Sequence, residues 1–173
     1  VARLELRAPD GVRQALGLKV DSACEQLPAF DSTVDHVEFA PSYTFPQAIA
    51  ARYILPVLQS KPETLDPSII VYAGRDFQGA GTVDWKKYSE ADFPFSVTQN
   101  PGNTNVIGGF RIPLKNDATV SIHGRPASDP KLPVPRNLWP ACVAISGSAD
   151  SLAGMMSEAG VGPAAAAGPA NTS

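Results

Sequence analysis

With 173 residues, 43% of them hydrophobic, the chain suits one domain and can bury roughly two-thirds of the surface it exposes when unfolded. Its formal charge of -3, with 18% charged residues of interspersed sign, leaves no basic stripe for nucleic acid and no polybasic patch for a membrane surface. No apolar run approaches the ~20 residues that cross a bilayer, and the opening VARLELRAPD lacks the apolar centre of a signal peptide. The chain is therefore expected to be soluble, and to be a processed product or excised fragment whose export signal lay on a segment outside it.

Seventeen prolines and 14 glycines cut the sequence into short pieces, which predicts a β-rich fold with few helices. Strands are predicted over 17–20 and 33–39, the second placing His36 on the same face as Val34, as a rim or surface residue. Cys24 and Cys142 are the only cysteines, too few for a disulfide framework, and Cys24 in the turn-like DSACEQLP is not expected to bridge Cys142. Ile49, Ala50, Tyr53, Ile54, Val57 and Leu58 recur at helical spacing between Pro46 and Leu58, giving a helix expected to lie on a sheet.

A strand follows over 68–73. The stretch 74–91, GRDFQGAGTVDWKKYSEA, reads as a polar, glycine-rich loop or lid with Trp85 in its middle. Further strands are predicted over 95–98, 118–123 and 142–146, and a second helix from about Ser148 through Leu152, Met155 and Met156, stopped at Gly160. Residues 160–173, GVGPAAAAGPANTS, hold almost no side chain that could fill a core and read as a disordered tail, leaving 1–159 as the folded domain.

Chemistry concentrates in two segments. His123, in VSIHGRP, and Cys142, in RNLWPACVAIS, lie nineteen positions apart, and a thiol with an imidazole is the minimum equipment for nucleophilic acyl transfer. A cysteine of ordinary pKa near 8.5 is mostly protonated at neutral pH, so the imidazole must raise the thiolate fraction. Taken singly, each has a plainer reading: Cys142 as a small buried strand residue, His123 as a hydrogen-bonded structural histidine before a turn. Two histidines and two cysteines in four separate segments show no ligand spacing of the zinc type, so no metal is expected.

The run FPFSVTQNPGNTNVIGGFRIPLKNDATVSIHGRP, followed by PRNLWPACVAIS, resembles the catalytic domain of L,D-transpeptidases, the YkuD-type domain, in its larger branch with an inserted lid. Gln99, Pro101, Gly102, Asn105, Gly108 and Phe110 stand for its glycine-rich turn, His123 and Pro126 for its histidine strand, Arg136 and Cys142 for its cysteine motif. The resemblance runs from about Leu18 to Met156 and takes in ILP at the end of the first helix and VDW near Trp85. The sequence departs from the pattern at Trp139, Pro140 and Ala141, where the family has Ser, His or Ser, and Gly, and at Ala144, where it has Arg.

The resemblance implies a mixed β-sheet sandwich that acts as a monomer on peptidoglycan stem peptides in the periplasm or cell envelope without a cofactor. It implies Cys142 as nucleophile, His123 as proton carrier and backbone N–H groups of Ala141 and Cys142 as oxyanion donors, giving 3→3 cross-links and labelling by carbapenem-type β-lactams. Arg136, Trp139, Asn105, Gly124, Tyr43 and Trp85 are the candidate substrate-binding residues. Arg136 is equally at home in solvent, and Trp85 equally in a core. Two alternatives stay open: a peptidoglycan-binding module that has lost catalysis, as WPAC suggests, and a cysteine-dependent peptidoglycan peptide hydrolase.

Overall fold

The computed structural model describes residues 3–7, 13–19, 32–34, 36–79, 81–115, 121–139 and 144–145. These belong to two compact units, one drawn from Val1–Pro41, Ile107–Arg125 and Ala141–Ser173, the other from Ser42–Val106 and Pro126–Pro140. The β-rich expectation holds in both. The helix read from about 148 and the tail over 160–173 lie outside the described residues.

The first unit is a sheet in the order β1 (Arg3–Arg7), β2 (Arg13–Lys19), β10 (Ala144–Ile145), β9 (Ser121–His123), β8 (Phe110–Pro113), β3 (Glu38–Phe39). Neighbours are antiparallel except β9 and β10, which run parallel. Strand alternation is clear on β8 and β9: Phe110, Ile112 and Ile122 are buried on one side, while Arg111 and Ser121 on the other are less covered. The strand predicted over 33–39 contracts to Glu38–Phe39 with Val37 as a lone bridge. Continuing the register by two residues would set His36 opposite Pro113, which has no N–H to give to the ladder.

The second unit is an antiparallel sheet in the order β4 (Tyr43–Thr44), β7 (Ser96–Gln99), β5 (Ile69–Ala73), β6 (Asp76–Gln78). Ala73 pairs with Asp76 across a two-residue turn whose first residue, Gly74, has φ +64°, the positive value that such tight hairpins require. Against the sheet lies the expected helix, as α1 (Gln47–Ile49), a π-helical stretch Ala50–Ile54 and α2 (Leu55–Ser60). Pro56 accounts for the wide middle turn: it has no N–H for the carbonyl of Arg52 four residues back, and its ring would crowd that oxygen in an α-helix. The i→i+5 pattern shows in the N–H of Leu55, which donates to the carbonyl of Ala50.

Ala50, Ala51, Ile54, Leu55 and Leu58 meet Ile69, Val71 and Val97 of the sheet in one apolar core with Phe45, Phe93, Phe95 and Val134. The stretch read as a polar loop from 74 onward begins with the β5–β6 hairpin and continues through 3-10 turns at Trp85–Lys87 and Glu90–Asp92. Trp85 belongs to the core, and the Gln59 amide donates to the carbonyls of Trp85 (3.2 Å) and Tyr88 (2.9 Å). Ile54→Ala, at a site with no solvent exposure, is expected to cost about 3 kcal/mol in urea unfolding, whereas Phe77→Ser on β6, 63% exposed, should stay within about 0.5 kcal/mol of the parent.

Candidate functional site

In the first unit, β9 ends at His123, which pairs with Arg111 on β8 and with Ala144 on β10. The imidazole is buried, and its Nδ1 lies 2.7 Å from the carbonyl oxygen of Gly124. A carbonyl oxygen only accepts, so Nδ1 carries the hydrogen, and the neutral ring presents Nε2 as its basic nitrogen. Nε2 is itself buried. The tautomer suited to taking a proton from a thiol is thus set by the main chain of the following residue.

That carbonyl is in turn held by packing of backbone on backbone. The N–H of Gly124 donates to Phe110 O at 3.1 Å, and a Cβ on Gly124 would come within 3.2 Å of the Phe110 ring. Gly108 is the tighter constraint: it has φ +68°, and a Cβ there would lie 2.5 Å from Arg125 N and O. Both the backbone conformation and the space demand glycine. Gly109 closes the turn by accepting from the N–H of Ala40 at 2.8 Å.

Other candidates fall in the second unit. Asn105 is fully buried, its Nδ2 donating to the carbonyls of Asn100 (3.0 Å) and Gln99 (3.3 Å). Gln99, also fully buried, donates to Thr104 O at 2.8 Å and Ser68 Oγ at 3.2 Å and accepts from the N–H of Val106 at 3.0 Å. The turn itself, residues 100–103, is exposed, and the two buried amides satisfy backbone groups on its inner side, so Asn105 shapes the turn from beneath it. Gln99, named from sequence only as part of the turn, is its central residue.

Arg136, on the 3-10 turn Arg136–Leu138, is exposed and paired with Asp129, and its guanidinium stacks 5.2 Å from the centre of the Trp139 ring. Trp139 packs on the core and donates from Nε1 to Val134 O at 2.9 Å, which fixes its indole. Trp85, 4% exposed and edge-on to Phe95 at 5.1 Å, takes the core role of the two open to it. Tyr43 is half-buried, edge-on to Phe45, and burial pushes its hydroxyl pKa up to about 12.

Cys142, Ala141 and Pro140 lie outside the described residues. Among the described residues no cluster of His, Cys, Asp and Glu is placed to hold a metal ion, and no helix is long and apolar enough to cross a membrane. Sequence reading gave no part to the ion pair of Glu38 and Arg111, whose Nε–Oε2 and Nη2–Oε1 distances are 2.7 and 2.9 Å. Alternation on short strands was its only signal. No family model matches the chain, and no curated protein matches it.

Gly108→Ala is expected to lose about 2 kcal/mol or more of stability, because it combines a positive φ with a backbone collision, and urea unfolding checks it. The raised Tyr43 pKa has a sign as well. The unfolded phenol ionises near pH 10 while the folded one waits until about 12, so its contribution to stability is full below pH 10 and is lost as pH rises between the two. Stability of the parent should therefore fall more steeply over that interval than that of Tyr43→Phe.

Proposed function

We propose that the chain is a cysteine acyltransferase of the L,D-transpeptidase kind, acting on peptidoglycan stem peptides in the cell envelope. The observation that carries this reading is the 2.7 Å contact of His123 Nδ1 with the Gly124 carbonyl, which leaves Nε2 as the base. A second supports it: Ala144 stands opposite His123 on a neighbouring parallel strand. Cys142 precedes Ala144 by two residues, a reach of about 7 Å at most.

In the proposed reaction the Cys142 thiol gives its proton to His123 Nε2, and Sγ attacks the carbonyl of the third stem residue. The C–N bond to the terminal D-alanine breaks, the imidazolium returns the proton to the departing amine, and a thioester remains. The side-chain amine of a second stem then attacks the thioester and gives its proton to His123 Nε2, the C–S bond breaks to expel the thiolate, which takes that proton back, and the 3→3 cross-link is formed. Water in place of that amine gives a carboxypeptidase. The N–H groups of Ala141 and Cys142 are the oxyanion donors in this scheme; Pro140 has none to offer.

Intact mass after incubation with a carbapenem tests the proposal. A covalent adduct on the parent that disappears in Cys142→Ala and slows at least 100-fold in His123→Ala is the expected result. No adduct on a confirmed free thiol would sink the acyltransferase and favour a module that binds peptidoglycan without cutting it. If Ala141 and Pro140 weaken the oxyanion site, Pro140→Ser with Ala141→Gly should raise the acylation rate, by up to ~100-fold for one restored donor, in the same mass assay.

A further inference from the structure

The pairing of β3, β8, β9 and β10 sets four residues in one row across the sheet: Glu38 opposite Arg111, Arg111 opposite His123, His123 opposite Ala144. Residues directly opposite on neighbouring strands share a face, with Cβ atoms about 5 Å apart. Arg111 therefore stands on the His123 side of the sheet, while Ile112 and Ile122 pair on the other. Its guanidinium is not free to swing. Nε and Nη2 both engage the Glu38 carboxylate, the two-point geometry in which an arginine is most firmly oriented.

The order along the row matters. Arg111 lies on the strand between those of Glu38 and His123, so by strand order the cation of the pair is the nearer of its two charges to His123 and the carboxylate is at the sheet edge. A fixed positive charge beside a titrating pair disfavours the imidazolium and favours a thiolate, lowering the pKa of both. Other charged groups among the described residues stand farther along the row or in solvent. His36 lies on the far side of Glu38, its Nε2 at 3.5 Å from Oε1, and Arg125, two residues after His123, is exposed. From β10 the row offers the uncharged Ala144, and beyond it Lys19 of β2 pairs with Ala144.

We infer that Arg111, braced by Glu38, is a positioning residue for the proton-transfer machinery, an electrostatic support that holds His123 as the neutral base. The inference rests on the acyltransferase reading for its use, though not for its physics. Arg111 is suited to the task because it is oriented by a partner the chain supplies on another strand. The Glu38 carboxyl is held below its ordinary value mainly by the hydrogen bonds from Arg111, so the brace persists through the neutral range.

Because the chain has only two histidines, the ring protons of His123 can be followed by NMR against pH and assigned with His36→Gln and His123→Gln. Arg111→Gln should raise the His123 midpoint, since it removes the cation and leaves the Glu38 carboxylate uncompensated, and Glu38→Gln should lower it. Each shift is expected to be roughly half a pH unit or more. Opposite signs are what a merely structural role would not produce, and Glu38→Gln keeps the test open if Arg111→Gln does not fold. A midpoint unmoved in Glu38→Gln, or moved upward, overturns the inference. Carbapenem labelling of the parent separates the two readings: shifted midpoints without an adduct would uphold Arg111 and sink the acyltransferase, and an adduct with unmoved midpoints would do the reverse.

Discussion

The contact of main chain with main chain at Gly108 is the constraint on which the histidine end of the first unit depends. With no side chain at Gly108, the turn that starts β8 can lie against Gly124 and Arg125 at a separation that would leave a Cβ 2.5 Å from two backbone atoms. This fixes the peptide whose carbonyl receives the Nδ1 hydrogen of His123. A side-chain carboxylate in that place would add a charge and its own titration; a peptide carbonyl orients the ring without either. The selection of a tautomer is thereby delegated to packing, the least adjustable part of a protein.

The second unit solves a different problem. Its turn between β7 and Val106 is exposed at residues 100–103 but turns backbone groups inward, and two buried carboxamides, Gln99 and Asn105, take up those donors and acceptors. A carboxamide can donate and accept at once, so one buried side chain answers both needs of a turn without introducing charge. Trp139 needs only an acceptor, and its single N–H meets the carbonyl of Val134.

Much of this was legible in the sequence where burial and periodicity agree. Ile69, Val71 and Val97 form the strands their β-branched runs predict, and the helix from Pro46 onward follows its apolar spacing. The β8 strand was not read, because FRIP interrupts its apolar residues with Arg111 and closes on Pro113. β3 is the end of the strand read over 33–39, whereas the two-residue β4 exists only through its partner, which no local pattern announces. Trp85 was ambiguous for a physical reason: its neighbours in sequence are charged, while its neighbours in space, such as Phe95, come from elsewhere. Of the candidate site, His123 and a backbone carbonyl as its partner could be named from sequence, but that the carbonyl is the one of Gly124 is set by the fold.

The π-helical stretch changes what the helix offers to its sheet. Its buried residues 50, 54 and 58, with 51 and 55, repeat every four positions. On an ideal α-helix a fourfold repeat drifts by about 40° at each step, so the apolar stripe would coil away from the strands beneath it. The wider turn around Ala50–Ile54 advances less per residue and takes back part of that drift. A proline that an α-helix would resist at its centre thus straightens a seam, and lets a short helix keep its apolar residues on one side for longer than a regular α-helix would.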